Sequence, residues 1–242
     1  LIEDVDFTAQ LTGPPDLIVS AHCFEHVDEP RDQLQRLVDI ADDGALFVVE
    51  VPCLDTMLRT CRFDQVFHQH VNHFSVASFR RLINELGATY VAHTFNWNYW
   101  GGTMLTAFVK GGSGVSANND GYTQPTAALA KIRYGEFRHQ LIELNSYIES
   151  VGNRPIYGYG GAGMLPTLAY HMESDLGFLA NVLDDDPDRA GLTWPDLGVS
   201  IRQPDESDDF RDAAVLITAL DSARPIMRRC IDLNFREILL PL

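Results

Sequence analysis

The sequence predicts an α/β protein of two tandem doubly wound domains, and three observations carry that prediction. Short apolar runs alternate with amphipathic helical stretches, several of the runs end in glycine-rich or acidic turns, and one Gly, Ser and Asn-rich segment divides the 242 residues near their middle. The division predicts a first domain at 1–112, a linker at 113–124 and a second domain at 125–242.

"PDLIVSA" at 15–21 follows a Pro-Pro break and reads as a buried strand. A helix then runs to Asp43-Gly44, with Leu34, Leu37, Val38 and Ile40 at helical spacing, Asp28 as its expected N-cap and Pro30 in its first turn. "ALFVVEVP" at 45–52 is a second buried strand, completing a βαβ unit. "SVASFRRLINELGA" is a helix opened by Ser75 or Ser78 and closed at Gly87. "TYVAHTFNW" and "TMLTAFVKG" are strands joined through "NYWGG". Beyond the linker a long amphipathic helix leads into strand, Gly-rich turn and helix at "RPIYGYGGAGMLPTLAYHM", with Pro166 in the helix's first turn. "GFLANVLDDDP" and "AAVLITAL" are further strands, "SARPIMRRCIDL" a helix and "REILLPL" the last strand.

Composition narrows the class. An apolar share of 45%, aromatics at 10% and charged residues at 21% describe a folded chain. Its net charge of −16, with Lys110 and Lys131 the only lysines, disfavours nucleic acid and anionic membranes, which need clustered positive charge. The absence of a long apolar run leads to the expectation of a soluble cytoplasmic protein. Cys23, Cys53, Cys61 and Cys230 are scattered without a C-x-x-C pair, so neither a disulfide framework nor a structural zinc held by cysteines is predicted. The chain opens on "LIEDVDF" without a methionine, and further sequence upstream is expected.

Three stretches carry chemistry. "HCFEH" at 22–26 matches the H-x-x-E-H of some zinc peptidases, but it directly follows a strand; an active-site loop at the strand's carboxyl end, or a packing and capping segment, are the other readings. "FDQVFHQHVNHFS" at 63–75 holds His68, His70 and His73, which no single helix or strand would point at one place. One histidine acting as a general base, a zinc site in a turn and an ordinary connecting loop all stay open. "GYGGAG", with Gly158, Gly160, Gly161 and Gly163, lies between strand and helix as a turn that cradles a dinucleotide or other nucleotide diphosphate does, and Asp184, Asp185 and Asp186 end the next strand where a ribose-binding acid would sit; a turn that only packs helix on strand is the other reading.

Together these stretches resemble the S-adenosylmethionine (SAM)-dependent C-methyltransferases of nucleotide-linked sugars, enzymes that methylate a carbon beside a ketone. "SAHCFEHVDEP" is similar to the family's loop after the fourth strand of its methyltransferase sheet, and "FDQVFHQHVNHFS" to its hallmark F/Y-D-x-x-Y/F-x-E-H-x-x-x-F-S. "WGGTML" resembles its H-G-G hairpin, and "GYGGAG" with "DDDPDRAGL" its second-domain glycine turn and D-x-P-x-K-x-G segment. Phe67, Gln69, Trp100 and Met164 depart from tyrosine, glutamate, histidine and lysine at the matching positions.

The resemblance implies two Rossmann-like domains, the first an incomplete SAM-methyltransferase sheet. It implies His70 as the base that forms an enolate, with His26 and Gln69 orienting the substrate. Phe67, His68, Gly101, Gly102, the four turn glycines and Asp185 would contact the nucleotide-diphosphate sugar, and Ala21 and His22 the SAM. The SAM site is expected to be incomplete, because the family's first strand and Gly-rich turn precede the matched part. Two rivals remain: an NAD-dependent oxidoreductase using "GYGGAG", and a non-catalytic nucleotide-sugar-binding remnant.

Overall fold

The structure is a computed structural model that describes residues 6, 9, 11–98, 101–112 and 121–241. Trp100 and most of the predicted linker lie outside the described residues. The chain divides into two compact units: Leu1–Thr60 with Gln65–Lys131, and Cys61–Asp64 with Ile132–Leu242. No helix among the described residues is long and apolar enough to cross a membrane.

The first unit contains β1 (Leu17–Ala21), α1 (Pro30–Ile40), β2 (Leu46–Pro52), α2 (Leu54–Thr60), α3 (Val76–Glu85), β3 (Ala88–Asn96) and β4 (Thr103–Lys110). Its sheet has the order β1-β2-β4-β3. β1 and β2 run parallel, as the βαβ reading requires, but β4 is antiparallel to both β2 and β3. The sheet is therefore mixed rather than a doubly wound parallel one, because β4 follows β3 after a few residues and pairs back on it antiparallel.

α1 buries Leu34, Leu37 and Val38, one face at i, i+3, i+4, into a core that also holds Phe24, Phe47, Phe79 and Phe108. Phe47 and Phe108 are register partners on β2 and β4 with stacked rings 4.7 Å apart. α3 starts at Ser75, whose side chain accepts from the Ser78 amide while the Ser78 hydroxyl accepts from the Ser75 amide.

Two local expectations are corrected. The N-cap position of α1 is Glu29, not Asp28, and no side chain caps it. β1 is not a buried strand: Leu17 is 53% and Val19 66% exposed. β1 pairs only with β2 among the described residues, so apolar composition alone did not distinguish an edge strand from a central one.

α4 (Ala127–Ser150) carries the chain from the first unit into the second. The second unit continues with β5 (Ile156–Tyr159), α5 (Met164–Met172), β6 (Val182–Leu183), β7 (Ile201–Arg202), β8 (Ala214–Ile217), α6 (Ala223–Asp232) and β9 (Glu237–Leu239). Its five strands have the order β7-β6-β5-β8-β9 and pair in parallel throughout. The order reverses between β5 and β8, where parallel sheets open a crevice at their carboxyl ends. β8 is buried at all of its positions, as a central strand between helical layers is.

Gly160 has φ +109°, and a Cβ there would sit 2.4 Å from the Ala219 Cβ. Gly163 takes a helical backbone and has nothing within 4 Å of such a Cβ. Gly160→Ala should lower stability by about 1–3 kcal/mol, whereas Gly163→Ala should stay within about 0.5 kcal/mol, both read from urea unfolding midpoints.

Candidate active site

The loop after β1 begins at His22, whose left-handed backbone (φ 51°) turns the chain while its N–H still donates to the Glu50 carbonyl at 3.0 Å. A single 3₁₀ turn follows, Phe24–His26, with Phe24 fully buried in the core. That turn sends the Glu25 side chain inward, at 1% exposure, and leaves His26 exposed. His22 and His26 therefore do not share the face of a helix, and the peptidase-like reading of H-x-x-E-H fails on geometry.

The second segment opens with a 3₁₀ turn at Phe63–Gln65 and continues irregularly until Phe74 bridges to Cys53. Asn72 docks it on the first loop: its backbone N–H donates to the Glu25 carbonyl at 3.1 Å, and its side-chain amide donates to the carbonyls of Phe24 and Val27. The docking brings His70 to His26, ring centroids 4.9 Å apart, with the Phe67 ring 4.2 Å from His70 on another side.

Each imidazole is oriented by a backbone carbonyl. His26 Nδ1 lies 2.8 Å from the Gln69 carbonyl and His70 Nδ1 lies 3.0 Å from the Gln65 carbonyl. A carbonyl only accepts, so both Nδ1 atoms carry the hydrogen, which in a neutral ring leaves the lone pair on Nε2. One ring nitrogen of each histidine and a Glu25 carboxylate oxygen form a group whose donor atoms all lie within 4.8 Å of one another.

Glu25 is the unusual member. Neither carboxylate oxygen has a hydrogen-bond partner; His22 Nδ1 stands 3.4 Å and His26 Nε2 3.8 Å from Oε1, too far or too poorly aligned to bond well. Burial pushes the Glu25 carboxyl up, against the pull of its own backbone amide and of His26 and His22. Burial, reinforced by the neighbouring His26 and His73, pushes His70 down to about 4, so its imidazole is neutral near pH 7.

Of the predicted residues, His26, His70 and Phe67 converge. Gln69 and His68 are exposed, and Gln69 acts in the structure through its carbonyl on His26. His73 is half-buried with its ring 6.3 Å from His70, so the run of three histidines is not one cluster. Ala21 is exposed at the end of β1, and His22 Nε2 lies 4.0 Å from Glu50 Oε1. Glu50 is held by Asn96 at 3.2 Å and by the Thr103 hydroxyl. Gly101 has φ 66° and Gly102 φ 126°; a Cβ on Gly102 would meet the Trp97 ring at 2.8 Å, and its carbonyl accepts from Thr56 at 2.8 Å.

In the second unit, Gly158 packs against Val182, Leu179 and Thr218, and Gly161 against Ile201. The acid that meets the glycine turn is Asp184, not Asp185. Asp184 accepts from Gly161 N–H at 2.7 Å, from Asp186 N–H at 3.0 Å and from Arg189 at 3.0 Å, while exposed Asp185 pairs with Arg229 at 3.2 Å. The turn amide expected to face a phosphate is thus already satisfied by an internal carboxylate. Beside it a cavity of about 450 Å³ is lined by Gly161, Gly163, Arg189, Trp194 and Ile201 among others, and the Trp194 indole N–H donates to the Gly161 carbonyl at 3.0 Å.

Glu50, Asn72, Asp184 and Trp194 were not singled out for these roles by the sequence. The one available signal was Glu25, whose place between two histidines marked it without revealing that it is buried.

Comparison with known proteins gives matches to methyltransferases. Residues 2–93 match the family model described as "Methyltransferase domain". The chain is 30% identical over 117 residues to the C-methyltransferase NovU of Streptomyces niveus, an alignment covering 48% of this chain and 24% of NovU. The chain therefore spans about a quarter of the length of the curated relative it matches. Among solved structures, N-methyltransferase NodS from Bradyrhizobium japonicum WM9 aligns at 17% identity and a TM-score of 0.31, covering 43% of this chain and 56% of NodS. Magnesium protoporphyrin IX methyltransferase from Synechocystis PCC 6803 with bound SAM aligns at 13% identity and a TM-score of 0.30, covering 42% of each chain.

The Asp184 network predicts an acid-side stability slope. Burial alone would raise this carboxyl, but the amides of Asp186 and Gly161 and the Arg189 guanidinium outweigh it and hold the pKa below the ordinary value. A depressed carboxyl stabilises the fold above its unfolded pKa of about 3.9, and that stabilisation is lost as pH falls through the folded value. Asp184→Asn should lower the urea midpoint at pH 7 and flatten its decline below about pH 4.

Proposed function

We propose that the first unit belongs to a SAM-dependent methyltransferase that methylates a carbon beside the keto group of a nucleotide-linked sugar, with His70 as the base. The observation that carries this reading is the convergence of neutral His70, His26 and buried Glu25 at the carboxyl end of β1. The methyltransferase-domain match and the likeness to a C-methyltransferase support it.

The edge where the cofactor would lie is rich in acceptors. Glu50, held by Thr103 and Asn96, and the turn at His22 stand beside exposed Ala21, and such groups suit a cationic sulfonium. Ala21 and His22 would lie against SAM, which when bound supplies an electrophilic methyl group on sulfur. This chain's residues deal with the proton. A hydrogen beside a ketone is acidic because the carbanion delocalises onto oxygen, and the neutral His70 imidazole accepts it. The imidazolium so formed stands next to the Glu25 carboxylate, which compensates the cost of a buried positive charge. Nε2 of His26 accepts from a substrate hydroxyl, and the exposed His68 and Gln69 side chains border the approach.

For the second unit we propose binding of a nucleotide in the cavity beside the glycine turn. Trp194 offers an aromatic face for a base, and Arg189 a cation for phosphate. Asp184 at Gly161 weakens the case for a dinucleotide pyrophosphate on that amide, and with it the oxidoreductase reading.

Two measurements test these assignments. In deuterated water with a 4-keto nucleotide-linked sugar, the protein should exchange the hydrogen beside the ketone, and His70→Asn should slow exchange at least about 100-fold. Exchange by the variant at the wild-type rate would overturn the base assignment. In a fluorescence titration with uridine and thymidine diphosphates, Trp194→Ala should weaken binding about tenfold. Tighter binding of NADH than of either diphosphate would favour the oxidoreductase.

A further inference from the structure

The buried Glu25 carboxylate has no hydrogen-bond partner for either oxygen, a costly arrangement for a charged group. Around it stand two imidazoles, each held by an Nδ1 hydrogen bond to the Gln69 or the Gln65 carbonyl, and one ring nitrogen of each lies within 4.8 Å of the other's and of a Glu25 oxygen. This is the pattern in which histidines bind metal: one ring nitrogen is fixed by an outer hydrogen bond and the other is left to the ion.

We propose that Glu25, His26 and His70 bind a divalent first-row transition ion of the zinc class. Two imidazole nitrogens and one carboxylate leave at least one position open to water or to a substrate oxygen. The donor atoms lie within 4.8 Å of one another, and His26 Nε2 and Glu25 Oε1 are 3.8 Å apart. Ligand atoms around tetrahedral zinc, with Zn–N near 2.0–2.1 Å, stand about 3.4 Å apart. The donors thus need to draw in by about an ångström or somewhat more, which the exposed His26 ring and the Glu25 side-chain torsions accommodate.

The ion and the proton compete for one lone pair. A cation on His70 Nε2 removes the base proposed above, so the same three side chains make an inhibitory site. Ion binding depends on the three donors alone; inhibition depends also on His70 being the base.

The test uses the whole chain, freed of metal, titrated with Zn²⁺ by calorimetry and with Co²⁺ by visible absorption. One ion per chain is expected, and Glu25→Gln and His26→Ala should each weaken it at least about tenfold. His26 is exposed, so its replacement leaves the core intact, and a circular dichroism melt verifies folding of both variants. His22→Ala, which removes the imidazole 3.4 Å from Glu25 Oε1, and His73→Ala, whose ring lies 6.3 Å from that of His70, should retain binding. Loss of binding in His73→Ala with full binding in Glu25→Gln would place the ion on the histidine run and overturn the proposal. So would the absence of Zn²⁺ and Co²⁺ binding by the folded wild-type chain. Zn²⁺ should also suppress deuterium exchange with the midpoint found by calorimetry. If no exchange occurs even without Zn²⁺, the base assignment falls while the calorimetric result still decides the ion site.

Discussion

Asn72 ties together two segments whose only regular structure is a single 3₁₀ turn each. Its main-chain N–H reaches the Glu25 carbonyl, and its side-chain amide reaches those of Phe24 and Val27. Without those bonds the carbonyls of the first loop would be left in a largely buried place, at a cost of about 1–3 kcal/mol each. With them, the second segment is held where Gln69 can orient His26 and where His70 can enter the same space. The geometry of the site is thus a consequence of loop docking.

The two units treat a buried carboxylate in opposite ways. Asp184 accepts two backbone amides and an arginine, and its charge is spent inside the fold, closing the glycine turn. Neither Glu25 oxygen has a hydrogen-bond partner, although the His22 and His26 rings stand 3.4 and 3.8 Å from Oε1, and burial raises its pKa. Satisfied buried acids rigidify a turn, whereas an unsatisfied one is a standing electrostatic demand that a proton, a cation or a polar ligand can meet. That contrast is why chemistry is proposed for the first unit and a binding role for the second.

Most secondary elements were legible because their causes are local. The Leu34, Leu37 and Val38 stripe, the Ser75 cap and the apolar runs of β2 and β8 each fall where pattern and capping place them. Elements without a local signature were missed: α2 has only seven residues, and β7 two. The exposure of Val19 and the antiparallel return of β4 depend on which strands become neighbours, and no window of sequence contains that information.

The candidate site divides along the same line. By itself the sequence determined that histidines and an acid follow β1, that a second histidine segment lies about forty residues on, and that a glycine turn joins β5 to α5. These are statements about neighbours along the chain, and periodicity, capping and turn chemistry decide them. Only the tertiary structure decided that His70 rather than His68 or His73 meets His26, that Glu25 points inward without a partner, and that Asp184 rather than Asp185 closes the turn. Burial and the direction of a side chain on an irregular loop are set by contacts with residues distant in sequence, and those contacts exist only once the chain has folded.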